Sequence, residues 1–265
     1  MTSTKKLLAL IGMSLIAFVA FLEYTVVSTA LPTIQQAFSV SMLDLQWVFN
    51  IYSIVAAISM ILAGRLGDLF GRRKVFYIGA LLLGVGSLGA GFSPTYYWLI
   101  FFRAVQSLGV AATVTLASSL INIIYGDKAH YPMSFFVAFT GLGLAVGPYL
   151  GGVLVTAFGW EWIFFINIPL LIIAYIFCIP CVPESKASKR VALDLKGAVL
   201  FALTIVSLIL GLVEGEQIGL AQPFPLLCIV VFLIALPLLV KVENACKNPI
   251  IDFSFFAKKD FFLAG

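Results

Sequence analysis

The stretch Gly64–Lys74, GRLGDLFGRRK, decides the fold because it is a charged turn between two apolar stretches. Its eleven residues hold five ionisable side chains and three glycines. On both sides the sequence is apolar over about the 20 residues that a helix needs to cross a hydrocarbon core of about 30 Å. The stretch therefore predicts two membrane-spanning helices joined by a short polar connection.

The composition of the whole chain excludes a water-soluble domain. The chain has 265 residues, of which 62% are hydrophobic and 11% are charged, and its mean hydropathy is +1.11. Soluble domains are about 45–50% apolar and about 25% charged. No soluble fold of this length hides so much apolar surface, so the chain is predicted to be an integral membrane protein.

Hydropathy predicts an all-α polytopic membrane protein with eight complete spans. A ninth span is predicted to begin at Phe261. The predicted spans cover residues 7–31, 46–64, 75–93, 97–124, 133–158, 162–182, 193–214 and 223–243.

Basic residues predict how the chain is oriented in the membrane. Fifteen of the 16 lysines and arginines lie in the N-terminus, in the even-numbered connections, or at and after the end of the eighth span. The other connections hold none. Since basic segments stay on the cytoplasmic side, we expect a cytoplasmic N-terminus in a plasma membrane, namely a bacterial inner membrane.

Five motifs lie along the first six predicted spans. A basic turn is common at any cytoplasmic helix end, but the spacing G-x-x-x-D-x-x-G-R-R-K in Gly64–Lys74 resembles the cytoplasmic signature of the major facilitator superfamily. RAVQSLGVAA resembles that family's fourth-span motif, and GLAVGPYLGG resembles its fifth-span antiporter motif. FLEYTVVSTALP and GWEWIFFINIP resemble the first and sixth spans of its branch with fourteen spans, the drug:proton antiporters.

The motifs of the resemblance supply the candidate functional residues. These are Gly64, Asp68, Gly71, Arg72 and Arg73 in a cytoplasmic gate, Arg103, Gln106 and Gly109 in the fourth span, and Gly143, Gly147, Pro148, Gly151 and Gly152 in the fifth.

The resemblance implies a six-helix transport bundle over 1–185 and a linker helix pair over 186–245. Residues 246–265 would then be a cytoplasmic segment and the start of another span. Family members move two six-helix bundles about a central site, so this chain covers about half of one. We expect a truncated carrier that lacks its C-terminal half, with a natural half-carrier as the alternative.

Four residues depart from the family pattern. Glu23 stands where aspartate is usual, and Ser28 stands where asparagine is usual. Ser107 replaces a glycine, which predicts looser packing of the fourth span. Glu161 replaces an arginine, which reverses a charge at the outer side.

Glu23 and Arg103 are the two formal charges deep within the predicted spans. A charge at the bilayer centre costs at least about 2.5–3.5 kcal/mol, so each should face a cavity or a partner. Helix rise places both at a similar depth. Desolvation favours a protonated glutamate and a nearby arginine favours the ionised one, a competition that suits a group that loads and unloads protons. The alternative is a fixed structural ion pair.

The fifth-span glycines predict a smooth helix face. Gly143, Gly147 and Gly151 recur every four residues, and Pro148 removes a backbone hydrogen bond beside them. This face could slide against a helix from the other half of the carrier. The alternative is ordinary small-residue packing.

The sequence favours a proton-coupled efflux antiporter of small amphipathic or cationic molecules that works by alternating access. The alternatives are a metabolite or siderophore exporter of the same family and a non-transporting membrane fragment or interaction half. We expect no enzyme activity, catalytic residue or metal site, since no nucleophile-and-base arrangement is evident. We also expect no cofactor besides the proton gradient, and as partners the lipid bilayer and a small-molecule substrate but no nucleic acid.

Overall fold

The computed structural model describes residues 1–186 and 194–246, and every regular element in these ranges is helical. The all-helical membrane fold predicted from the sequence is confirmed. The chain divides into two compact units, Met1–Ser188 and Lys189–Gly265. The predicted start of a ninth span at Phe261 lies outside the described residues, and the predicted domain boundaries stay a prediction.

Seven of the described helices are long and apolar enough to cross a membrane. The predicted sixth span is shorter and is divided in two. The helices are α1 (Ser3–Phe38), α2 (Met42–Phe70), α3 (Arg72–Gly91), α4 (Tyr96–Tyr125), α5 (His130–Phe158), α6 (Trp162–Phe165), α7 (Asn167–Cys178), α8 (Leu195–Ile218) and α9 (Pro223–Ala245).

The division between α6 and α7 has a local cause. Pro169 has no backbone N–H, so it cannot donate to the Phe165 carbonyl four residues earlier. The helix is interrupted at Ile166 and begins again at Asn167. Ile166 itself keeps helical dihedral angles, with φ of −59° and ψ of −25°, and the Asn167 side chain that follows is fully buried in the first unit.

Side-chain caps and one glycine explain the ends of α2. The Ser41 hydroxyl accepts from the Asp44 amide at 3.1 Å, and the Asp44 carboxylate accepts from the Ser41 amide at 3.1 Å. This reciprocal pair satisfies N–H groups that the first turn leaves without partners. At the other end Gly71, with φ of +108°, is the single residue between α2 and α3. That backbone conformation strains any residue with a Cβ, so glycine allows the reversal.

Close backbone contact between α3 and α4 shapes the core of the first unit. A Cβ added at Gly86 would lie 2.6 Å from the Gln106 Cα, and one added at Gly109 would lie 2.8 Å from the Leu83 Cα. Neither distance is possible for real atoms, so both glycines are required for the two helices to approach this closely. Small residues play this part in many membrane bundles.

The N-terminus, the α2–α3 turn, the end of α4 and the end of α7 lie at one end of the first unit, here called the basic end. Lys6 Nζ lies 5.6 Å from the Tyr125 ring centroid. The Arg72 amide donates to the Ser185 carbonyl at 2.9 Å, and Arg73 Nη2 donates to the Ile179 carbonyl at 3.0 Å. The alternating arrangement of the spans follows from these contacts, whereas the cytoplasmic location of the basic end stays a prediction.

In the second unit α8 packs against α9. Asp194 caps α8 by accepting from the Gly197 amide at 2.9 Å. The absence of a side chain at Gly211 allows close contact, since a Cβ there would lie 2.9 Å from Ile229 Cγ1.

We predict that Gly109→Ala destabilises the first unit and that Gly141→Ala does not. The added methyl at residue 109 meets the backbone of α3, and overpacking of this kind costs about 1–3 kcal/mol. Gly141 lies in a helix with nothing within 4 Å of its added Cβ. Thermal unfolding of the two purified variants in detergent, followed by tryptophan fluorescence, measures the difference. Equal melting temperatures would contradict the close contact.

Candidate functional site

A buried ion pair lies at the centre of the first unit. Arg103 Nη1 of α4 donates to Glu23 Oε2 of α1 at 2.6 Å, and both side chains have zero exposed surface. The structure thus brings together the two charges that the sequence singled out. Burial of both charges requires further polar partners, since desolvation removes the water that would otherwise solvate them.

Three more groups hold the Arg103 guanidinium. Its Nε donates to the Val48 carbonyl at 3.2 Å, and its Nη1 also donates to Gln106 Oε1 at 2.7 Å. Its Cζ lies 4.2 Å from the centroid of the Tyr52 ring, the geometry of a cation–π contact. Arg103 therefore connects α4 with α2 as well as with α1.

A second set of hydrogen bonds closes the network around Glu23. Asn167 Nδ2 of α7 donates to Glu23 Oε1 and, at 3.2 Å, to Ser87 Oγ of α3. Ser87 Oγ also accepts from Gln106 Nε2 at 2.8 Å. The network therefore draws on α1, α2, α3, α4 and α7, and every side chain in it is buried.

Three residues of this network were not predicted from the sequence to belong to the site. Asn167 lies within the sixth-span motif GWEWIFFINIP, but the sequence did not show that its side chain would bond to Glu23. Ser87 and Tyr52 were not predicted. Ser87 could have been found from the sequence, because it is the one polar side chain in the apolar run 78–91. Tyr52 could not, since an aromatic residue in an apolar span is usually part of the core.

An apolar cavity of about 360 Å³ lies beside the ion pair. Helices α1, α2, α4 and α5 line it, and its aromatic wall consists of Phe21, Tyr24 and Tyr52. Tyr52 lines the cavity and also contacts Arg103, whereas Glu23 is not among the lining residues. The cavity therefore offers apolar and aromatic surface to a ligand, and Tyr52 is the residue that connects it with the buried charges.

The residues predicted for the cytoplasmic gate form a compact cluster at the basic end. Asp68 accepts from Arg72 Nε at 2.9 Å and from Nη2 at 2.8 Å. The Arg73 amide donates to the Glu184 carboxylate at 3.2 Å. A Cβ added at Gly64 would contact Thr115 of α4, and one added at Gly67 would overlap Leu116. Both glycines thus bring the end of α2 close to α4 side chains.

The predicted smooth face of α5 packs against α1 of the same bundle. Gly143, Gly147 and Gly151 are buried, and each faces the α1 backbone or its threonines. A Cβ at Gly147 would lie 3.1 Å from the Val26 amide nitrogen. In this structure the face packs against α1, as the packing alternative has it, and sliding against the other half of the carrier stays a prediction. Gly152 has nothing within 4 Å of an added Cβ.

Ser107 does not loosen α4 as its departure from the family pattern predicted. It is buried, and its hydroxyl donates to the Tyr52 carbonyl of α2. The hydroxyl thus contributes an interhelical hydrogen bond where glycine would contribute none. The bond also fixes the backbone of the residue that separates the cavity from Arg103.

An all-helical membrane bundle with paired charges in its interior, next to an apolar cavity, is typical of membrane transport proteins. The chain belongs to the Major Facilitator Superfamily, whose family model matches residues 13–242. The resemblance to this family, drawn from the motifs, is thereby confirmed.

Several curated relatives of this chain are named as resistance proteins. It is similar to the multidrug resistance protein Stp of Mycobacterium tuberculosis (strain CDC 1551 / Oshkosh), with 32% identity over 261 residues that cover 98% of this chain and 49% of the relative. It is also similar to the lincomycin resistance protein of Streptomyces lincolnensis, with 30% identity over 257 residues, 97% of this chain and 53% of the relative. The chain spans about half the length of these relatives.

A solved structure supports the fold. The crystal structure of peptide transporter POT in complex with sulfate superimposes with a TM-score of 0.64, at 18% identity, and the match covers 88% of this chain and 51% of that chain. At this identity the likeness concerns the arrangement of helices alone.

We predict that Arg103→Met and Glu23→Gln are strongly non-additive. Arg103→Met leaves a buried, uncompensated carboxylate, and loss of one partner of such a pair costs about 3–5 kcal/mol. Adding Glu23→Gln removes that charge and should recover part of the loss. A double-mutant cycle of unfolding free energies in detergent measures the coupling.

The Asp68–Arg72 pair supplies the control for this cycle. Both side chains are partly exposed, at 35% and 25%, so Arg72→Met should cost less than about 1 kcal/mol. Additive losses for the buried pair, or equal losses for Arg72→Met and Arg103→Met, would contradict the assignment of Glu23 and Arg103 as the energetic centre of the bundle.

Proposed function

We propose that this chain is the N-terminal half of a proton-coupled efflux antiporter for small amphipathic or cationic molecules. The observation that carries the proposal is the fully buried Glu23–Arg103 pair beside an apolar cavity. The named relatives are resistance proteins, which fits export of small molecules.

Glu23 is proposed as the proton carrier. When its carboxylate takes up a proton, the charge attraction to Arg103 is lost, while the guanidinium keeps its bonds to Val48 and Gln106. Asn167 donates to the ionised carboxylate through its amide nitrogen. An amide can also accept from a protonated carboxyl through its oxygen, so the same side chain serves both protonation states.

Substrate and proton are proposed to communicate through Tyr52. A ligand in the apolar cavity would contact the Tyr52 ring, whose other neighbour is the Arg103 guanidinium. Movement of that ring toward the guanidinium would press Arg103 against Glu23 and stabilise the ionised carboxylate. Binding of substrate would thereby favour proton release, and proton uptake would favour substrate release, as exchange of the two requires.

Alternating access requires a second bundle that closes over the cavity. We infer that this chain acts with another six-helix half, since the curated relatives are about twice as long. The distribution of lysine and arginine favours a bacterial inner membrane with a cytoplasmic N-terminus and a cytoplasmic basic end. Energy would come from the proton gradient and not from a bound cofactor.

We predict that Glu23→Gln abolishes proton exchange and that Asp127→Asn does not. Glutamine keeps the shape of Glu23 but cannot take up a proton, while Asp127 lies exposed in the connection between α4 and α5. The assay uses inverted membrane vesicles that contain this chain together with its C-terminal six-helix half. Addition of ethidium, an aromatic cation, should release protons from energised vesicles, as followed with a pH-sensitive acridine dye.

The outcomes separate the alternatives. Full ethidium-driven proton movement by Glu23→Gln would make the pair a structural feature and remove Glu23 from the mechanism. Ethidium movement without proton movement in the unmodified protein would favour a facilitator. A metabolite exporter would leave ethidium untouched and respond to medium components instead.

We predict that Tyr24→Ala weakens ethidium transport by raising its KM several-fold at an unchanged protein level. Tyr24 is 47% exposed and supplies part of the aromatic cavity wall. Stacking of one aromatic ring on another contributes about 0.5–1.5 kcal/mol to the binding free energy. Tyr131→Ala, at an exposed tyrosine away from the cavity lining, is the matched control. Equal KM values for the two variants would argue against this cavity as the substrate site.

A further inference from the structure

Pro148 leaves one carbonyl of α5 without its usual donor. In an α-helix the amide of residue 148 would donate to the carbonyl of Leu144, but proline has no N–H. Helix α5 nevertheless continues through Pro148 from His130 to Phe158. In a membrane a backbone carbonyl without a donor is costly, because no bulk water is present to replace it.

Thr25 of α1 supplies a donor for this carbonyl. Its hydroxyl oxygen lies 3.2 Å from the Leu144 carbonyl oxygen and 3.3 Å from the Leu22 carbonyl oxygen of its own helix. A hydroxyl carries one proton, so it bonds to one of these carbonyls or shares the proton between them. The bond to Leu144 is the one that crosses between helices.

Gly147 makes this crossing possible. A Cβ at residue 147 would overlap Thr25 Oγ1 and approach the Val26 amide nitrogen to 3.1 Å. The Gly-Pro pair therefore has two linked effects on the α1–α5 contact. Glycine opens space for the threonine, and proline creates the acceptor that the threonine satisfies.

We propose that Thr25 is a positioning residue that fixes the register between α1 and the turn of α5 that contains Pro148. Its hydroxyl replaces the missing backbone donor at Leu144. Because Thr25 follows Glu23 by two residues on α1, this bond also holds the segment of helix that carries the buried carboxylate. Loss of the hydroxyl would free α1 to shift along α5 and would weaken the geometry of the Glu23–Arg103 pair.

A double-mutant cycle tests the proposal without any transport assay. Thr25→Val keeps the shape of the side chain and removes its hydroxyl, while Pro148→Ala returns a backbone N–H to the Leu144 carbonyl. We expect Thr25→Val to shift the unfolding equilibrium in detergent about threefold toward the unfolded state, the usual size for an interhelical hydrogen bond in a membrane protein. In the Pro148→Ala background the same substitution should have no effect.

Two controls isolate the hydroxyl. Thr25→Ser keeps the donor and should restore the unmodified stability. Thr140→Val removes a hydroxyl that donates to the Val137 carbonyl of its own helix at 2.7 Å, and it should be nearly neutral. If Thr25→Val cannot be recovered folded from membranes, recovery of the Thr25→Val, Pro148→Ala protein would support the proposal.

Equal losses from Thr25→Val in both backgrounds would overturn the proposal, because the hydroxyl would then act through Leu22 or through packing alone. Absence of any loss in the Pro148 background, or failure of the double variant to fold when Pro148→Ala folds, would overturn it as well. A second measurement rests on the proposed function: Thr25→Val should lower ethidium-driven proton release and Thr25→Ser should restore it. Failure of transport in every variant, with the stability cycle intact, would count against the antiporter proposal and leave the role of Thr25 standing.

Discussion

The ion pair between Glu23 and Arg103 constrains the whole first unit. Two charges without exposed surface must recover by hydrogen bonding what they lose in hydration. One glutamate and one arginine cannot satisfy each other fully, so the remaining donors and acceptors require polar groups from neighbouring helices. The Val48 carbonyl, Gln106 and Asn167 supply such groups, although Arg103 Nη2 and Asn167 Oδ1 keep no hydrogen-bond partner among the described residues, and these bonds constrain where α2, α4 and α7 can lie.

Glycine makes this polar centre geometrically possible. Gly86 and Gly109 allow α3 and α4 to approach closely enough for Ser87 to bond with Gln106. Close approach of α5 to α1 likewise depends on glycine, at Gly143, Gly147 and Gly151. Small residues and buried polar groups thus act together, because short interhelical hydrogen bonds require backbones that nearly touch.

The sequence predicted the parts of this arrangement that depend on neighbours along the chain. Span positions follow from hydropathy, the turn at Gly71 follows from glycine's freedom, and the depth of Glu23 and Arg103 follows from helix rise. Which residues complete the site could not be predicted, because Tyr52, Ser87 and Asn167 reach it through packing between distant segments. Ser107 is a second example. Serine in place of the family's glycine predicted looser packing of the fourth span, whereas the Ser107 hydroxyl donates to the Tyr52 carbonyl of α2.

The single-residue connection at Gly71 has a consequence for biosynthesis. With α2 ending at Phe70 and α3 beginning at Arg72, no slack exists between the two spans. We therefore expect the two spans to insert into the lipid together as a helical hairpin.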